Sequence, residues 1–227
     1  MATFDGFGED TSAFLRGLSA QNDKVWFERH RLDYEAHYLE PAKAFVSAMG
    51  PRLEKIAPGV QAEPRVNGSI FRINRDVRFS KDKTPYKDHI DFIFWDGDDR
   101  KRAPCSFFLR VRAETVELGV GVHGFDKDAL ARFRARVADD QDGAKLEKVA
   151  ARLAKSGLAL GGEHYKKLPR GFDSISESRD RLLRHASLVT SMVSPMPKEA
   201  AGKTFPTWCV RQWKKMLPLR AWILALD

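Results

Sequence analysis

Three runs between His89 and Val122 place the tightest limit on what this chain can fold into. His89–Trp95 alternates, with Ile90, Phe92 and Phe94 on one side and His89, Asp91 and Ile93 on the other. Cys105–Arg112 repeats the pattern, setting Phe107, Leu109 and Val111 against Ser106, Phe108, Arg110 and Arg112. Thr115–Val122 points Val116, Leu118, Val120 and Val122 inward and carries Gly119 and Gly121 on its reverse. Alternation with a period of two marks strands that bury one face. The connections, one of them the turn Asp96-Gly97-Asp98-Asp99, are too short for crossover helices. An antiparallel sheet is therefore expected, with Gly119 and Gly121 leaving one face open to close packing or a ligand.

Both flanks change to helical spacing. Thr11 or Ser12 is placed to cap a first helix carrying Phe14, Leu15 and Leu18, and Asp23 a longer one with Val25, Trp26, Tyr34 and Tyr38. Pro41 suits the first turn of its continuation through Phe45, Met49 and Leu53. After the sheet, Asp126 caps a helix with Leu130, Phe133 and Val137, a second covers about Asp142–Ser156, and Ser176 or Ser178 caps another. Gly157, Gly161 and Gly162 mark a loop, Ser187–Val193 reads as a further strand, and Pro206 and Pro218 open two terminal helices. With 227 residues and 43% hydrophobic content the chain can bury one good core. The expectation is an α+β fold, a single domain over residues 1–227, in which N- and C-terminal helices pack an antiparallel sheet.

The most unusual chemistry lies just before the alternating runs. Ser69–Lys87 reads S-I-F-R-I-N-R-D-V-R-F-S-K-D-K-T-P-Y-K, and Ser69–Ile73 has strand composition. Residues 63–87 hold seven Lys and Arg against Glu63, Asp76 and Asp82. Arg matches carboxylate and phosphate with a planar fork. Two readings compete: an anion site, and an ion-pair network that neutralises the cations internally. The anion site would use Arg72, Arg75, Arg78, Lys83 and Lys87, with Asp76 as a brace and Tyr86 offering a hydroxyl. Arg170, held between Pro169 and Gly171, could add a further cation. Along a strand Arg75 faces away from Arg72 and Arg78, so convergence requires a bend near Asn74–Asp76.

Other chemistries find less support. Cys105 and Cys209 have no ligand spacing and suit buried apolar positions, so neither a disulfide framework nor a catalytic thiol is expected. His30 and His37 stand two helical turns apart, and His89 and Asp91 share a strand face without a third ligand. No metal and no cofactor are expected, and no nucleophile elbow, phosphate loop or dinucleotide fingerprint is present. Met1–Asp10 is acidic and does not read as a signal peptide, and the longest apolar run, Ala221–Leu226, falls short of a membrane span. A cytoplasmic protein that meets no membrane is expected.

Three stretches carry a family resemblance. They are L-x-x-x-N-x-x-x-W-F at Leu18–Phe27, F-R-I-N-R-D-V-R-F-S-K-D-K-T-P-Y-K at Phe71–Lys87 and L-P-R-G-F-D at Leu168–Asp173. In their order and content the chain resembles the conserved-hypothetical family known as domain of unknown function 2461, over almost its whole length. The resemblance implies one compact α+β domain with no assigned reaction. Such proteins usually follow the last motif with His-Pro, whereas this chain reads Ser174-Ile175-Ser176-Glu177.

The expected function is binding, with or without turnover, of a small phosphorylated or carboxylated molecule at the basic strand-loop site. The net charge of +8 keeps an alternative open. In it the basic loop and the C-terminal region, with six bases after Ala186, track a nucleic-acid backbone. A structural or interaction module with internally paired charges is the third reading.

Overall fold

In the computed structural model, which describes residues 3–226, the alternating runs become the adjacent strands β1 (Ile90–Trp95), β2 (Ser106–Val111) and β3 (Thr115–Val122). Met1, Ala2 and Asp227, which the expected domain would include, lie outside the described residues. Ahead of the sheet come α1 (Glu9–Ala20), α2 (Lys24–Arg29), the single turn α3 (Arg31–Asp33), a π-helical stretch Tyr34–Leu39 and α4 (Glu40–Glu54). After it come α5 (Lys127–Ala138), α6 (Asp140–Lys155), β4 (Leu160–Glu163), α7 (Glu177–Leu183), β5 (His185–Pro195), α8 (Phe205–Lys214) and α9 (Leu217–Leu224). The fold is α+β, with every ladder of the five-stranded sheet antiparallel and the strand order β1-β2-β3-β5-β4.

The two faces of the sheet differ as the alternation requires. Phe92 and Phe94 of β1, Phe107 and Leu109 of β2, and Leu118 and Val120 of β3 are all buried on the helix side. There Phe45 of α4 lies 5.0 Å from Phe92, and Trp213 of α8 lies 5.4 Å from Phe107. Trp213 also donates its indole N–H to the Gly119 carbonyl at 3.1 Å, which satisfies the one polar atom of a fully buried ring. An ion pair between Asp96 at the end of β1 and Arg220 of α9 pins the last helix to the sheet. The reverse face carries a charged row in register across three strands, Asp91, Arg110 and Glu117.

Four expectations about elements need correction. Ser69–Ile73 is not a ladder strand: it touches β1 through a single bridge, Ile70 to Phe92, flanked by Phe71 N–H to the Asp91 carbonyl and Ile93 N–H to the Ser69 carbonyl. A turn at Asn67 (φ 63°) just before it and a bend at Ile73 just after leave too few residues for a ladder. Leu160–Glu163, read as loop, forms the edge strand β4. Gly162 permits this, since its φ is +118° and a Cβ there would stand 2.0 Å from the Ser187 carbonyl oxygen. The first helix begins at Glu9 after Gly8 with no side-chain cap, and Thr11 instead donates from inside the helix to the His37 carbonyl at 2.6 Å. The helix opened by Asp23 is broken at His30 and resumes through the π-helical stretch. There Tyr38 reaches the His89 carbonyl at 3.1 Å. The expected caps at Asp23, Asp126 and Ser176 are present.

Arg179 of α7 is 5% exposed and ties three helices together. It donates to the carbonyls of Val137, Asp139 and Asp140 where α5 ends and α6 begins, and to Glu147 of α6 at 3.0 Å. Gly143 makes room, because a Cβ there would stand 2.2 Å from the guanidinium. Arg179→Met removes four hydrogen bonds and should cost roughly 2–4 kcal/mol. Urea unfolding measures this, and Gly143→Ala should also destabilise; wild-type midpoints in both variants would show that the junction does not depend on the guanidinium.

Candidate functional site

The basic stretch closes into a hairpin against β1. Asn74 bridges Tyr86, Arg75 N–H bonds the Pro85 carbonyl at 2.8 Å, and Lys87 N–H bonds the Ile73 carbonyl at 2.9 Å. The chain bends at Ile73 and at Arg78–Phe79, whereas Asn74 is extended within the bridge. The bend falls one residue earlier than the sequence suggests, at Ile73, whose side chain is buried. The hairpin is anchored from α1's far end. Asn22 accepts from Tyr86 N–H at 3.0 Å and donates to the Tyr86 carbonyl at 2.9 Å, while Phe27 stacks on the Tyr86 ring at 4.3 Å.

Below the hairpin, Asp91 gathers three partners. Its carboxylate accepts from Arg110 Nε at 2.7 Å, Lys87 Nζ at 3.0 Å and His89 Nε2 at 3.2 Å. The other His89 nitrogen, Nδ1, lies 2.7 Å from Asp88. The Asp91 and His89 side chains are 14% and 13% exposed, which keeps the cluster out of bulk solvent. Burial alone would raise the Asp91 carboxyl, but the hydrogen bonds and charges of His89 and Arg110 outweigh it and hold the group well below the ordinary carboxylate range. In the hairpin, Thr84 N–H, Arg75 and the Thr84 hydroxyl hold Asp82 down to about 2. The forked bond from Arg78 holds Asp76 down to about 2 as well.

A cleft of about 570 Å³ opens between α1's end, the hairpin and β1. Of the residues the sequence suggests, Arg75, Asp76, Tyr86 and Lys87 line it. Arg72, Arg78, Lys83 and Arg170 do not. Arg78 turns back onto Asp76 at 2.8 Å, Lys83 bonds the Val77 carbonyl at 2.9 Å, and Arg72 and Arg170 are exposed. The three arginines therefore do not converge: Arg75 pairs with Asp82 and Thr84 instead of joining Arg72 at Asp76. The wall also includes Ser19, Asn22, Asp82, Thr84, Asp88, His89, Asp91 and Arg110, which the sequence reading did not assign to the site. His89, Asp91 and Arg110 were legible as polar residues on the open sheet face, but only the strand register sets Arg110 beside Asp91. Among the described residues, no group of three or more His, Cys, Asp or Glu side chains could hold a metal ion. No described helix is long and apolar enough to cross a membrane.

A family model described as a conserved hypothetical protein, DUF2461, matches residues 10–222. No curated protein and no solved structure matches the chain.

Asp91→Asn leaves Lys87 and Arg110 without their shared counter-charge and should cost on the order of 2 kcal/mol at pH 7. A carboxyl depressed by folding stabilises above its unfolded pKa of about 3.9, and that stability is lost as pH falls through the lower folded value. Urea titrations should therefore show wild type and variant separated at neutral pH and converging below about pH 4. Curves that stay parallel down the acid limb would remove Asp91 from its central place.

Proposed function

The chain belongs to the DUF2461 family of conserved hypothetical proteins, and we propose that its cleft binds a small molecule bearing a phosphate or carboxylate. One observation carries this reading. Arg75, Lys87 and Arg110, from separate segments of the chain, line a single cavity, and each keeps N–H donors beyond those it has already committed. Arg75 makes its bonds to Asp82 and Thr84 through Nη1 alone, and Arg110 uses only Nε on Asp91. Lys87 has three donors and gives one to Asp91. The same wall holds Asp76, Asp82, Asp88 and Asp91, which outnumber the three cations. A bare anion would meet repulsion there, so the ligand also carries hydroxyl or ammonium groups for the carboxylates to bind. Both nitrogens of His89 are taken, and no cysteine lines the cleft. The cleft thus supplies binding groups rather than a poised base or nucleophile.

A second reading, nucleic-acid binding, has its own observation. At the hairpin tip Phe79 is 95% exposed, with the Arg78 guanidinium 5.6 Å from its ring centre. Lys81 and Lys83 follow it in the same loop, and neither makes a salt bridge among the described residues.

Melting curves against sugar phosphates, hydroxy acids and amino acids test the first reading. At a hundredfold excess over Kd, a ligand adds about 2.7 kcal/mol. For a chain of this size that raises the melting temperature by roughly 5–10 °C. Arg75→Lys should lose most of the shift, since Lys lacks the fork, while Arg72→Lys should keep it. A wild type indifferent to every anion, or a shift that survives both Arg75→Lys and Lys87→Met, defeats the proposal. The second reading requires single-stranded oligonucleotide binding that weakens with salt, with a log–log slope of about −2 for three neutralised phosphates. It also requires a marked loss on Phe79→Ala; no binding at low salt removes it.

A further inference from the structure

On the open face of the sheet a second cavity, about 370 Å³, shares Lys87, Asp91 and Arg110 with the polar cleft. The shared ion cluster is the partition between them, so a ligand filling both would pass over it. The second cavity is different in kind. Phe71 and Phe108 line it, and Gly119 lets the Phe108 ring lie flat on β3, since a Cβ there would come within 2.4 Å of the ring. Phe71 is fixed by cations, with Lys87 Nζ 4.9 Å and the Arg100 guanidinium 5.1 Å from its ring centre. Three polar side chains complete the lining: Glu117 and Ser191, both half-buried, and the more exposed His123 at the rim. None of the three makes a side-chain hydrogen bond among the described residues. Glu117 only approaches Arg110 at 4.0 Å, and His123 meets Phe108 edge to face at 4.8 Å. In the polar cleft, by contrast, Asp82, Asp88, His89 and Asp91 are all bonded within the chain.

Aromatic walls with unused acceptors and donors set among them match one kind of occupant. A purely aliphatic group would leave the half-buried Glu117 and Ser191 without a hydrogen-bond partner, which is costly once water is displaced. A purely polar group would waste the rings. A flat heteroaromatic ring satisfies both, through its faces and through in-plane nitrogen and oxygen atoms. Desolvation lowers the His123 pKa, which favours the neutral ring with its one donor and one acceptor. We propose that the ligand has two parts, a heteroaromatic ring on the open sheet face beside Phe108, Glu117 and Ser191, and a phosphate in the adjoining cleft at Arg75 and Lys87. This is the build of a nucleoside monophosphate. The proposal rests on the anion-cleft reading and extends it.

Isothermal titration calorimetry of the full chain with AMP, GMP, CMP and UMP, against ribose 5-phosphate and hexyl phosphate, tests it. At least one nucleotide should bind about tenfold or more tighter than either ringless phosphate. Glu117→Gln and Ser191→Ala should each weaken that nucleotide severalfold and leave ribose 5-phosphate unchanged. Melting temperatures near wild type certify both variants, and Ser191→Ala stands alone if Glu117→Gln disturbs Arg110. Ribose 5-phosphate binding as tightly as every nucleotide overturns the ring site while leaving the anion cleft intact. Hexyl phosphate matching the best nucleotide makes the cavity an apolar-tail site and overturns the ring equally. If none of these phosphates binds, the inference falls, and the melting panel with carboxylates decides the cleft separately.

Discussion

The ammonium of Lys87 and the guanidinium of Arg110 cannot share one sheltered corner unless a carboxylate sits between them. At an effective dielectric constant of about 20, unit charges about 4 Å apart interact by roughly 4 kcal/mol. Left uncompensated, repulsion on that scale would cancel a large part of the 5–15 kcal/mol that typically holds a domain together. Asp91 removes the problem by accepting from Lys87, His89 and Arg110 together. It can do so because β1 presents it on the open face in register with Arg110 of β2, and because Ile73 and Lys87 pair to bring the lysine down over it. The hairpin, the sheet and the cleft are thus coordinated by one side chain.

The same arrangement explains why two separated motifs occur in one chain. Asn22 of the first motif holds both backbone polar groups of Tyr86 in the second, and Phe27, five residues on, packs on the Tyr86 ring. An amide carries its donor and its acceptor on separate atoms, so it can bond the N–H and the carbonyl of one residue side by side. With Asn22 replaced by an aliphatic residue, a buried N–H and carbonyl would both be orphaned, and the hairpin would lose its register against β1. The third motif, Leu168–Asp173, has no such contact with the cleft. Arg170 remains on the surface, away from the site the sequence assigned it to.

What the sequence disclosed divides along the range of the forces involved. Alternation in β1, β2 and β3 was legible because each strand buries every second residue, and that is a local pattern. The caps at Asp23, Asp126 and Ser176 were legible for the same reason. β4 was hidden by Gly161 and Gly162, which break strands by propensity, but here Gly162 permits a close approach to Ser187 and Gly161 lies against Val189. The wall of the cleft was half visible. Arg75, Asp76, Tyr86 and Lys87 belong to the dense basic motif, whereas Asp91 and Arg110 look like ordinary exposed strand residues until the register pairs them. Arg72 drew attention through its composition alone. A residue's charge is written in the sequence, but the carboxylate that neutralises it is chosen by the fold.

That choice also bears on the rival readings of the basic stretch. Arg65, Arg75, Arg78 and Lys87 are paired with Glu63, Asp82, Asp76 and Asp91, so the internal network exists. Pairing does not exhaust an arginine, which has five N–H donors, and it fixes the rotamer before any ligand arrives. A ligand therefore immobilises less on binding and avoids part of the roughly 0.5–1.5 kcal/mol cost of ordering each long side chain. The partner carboxylates meanwhile repel a second anion. Inorganic phosphate gains from the first effect and loses to the second. A molecule that brings donors for Asp76, Asp82 and Asp88 along with its anionic group gains from both. In this cleft the ion pairs act as a filter on ligand chemistry as well as a support for the hairpin.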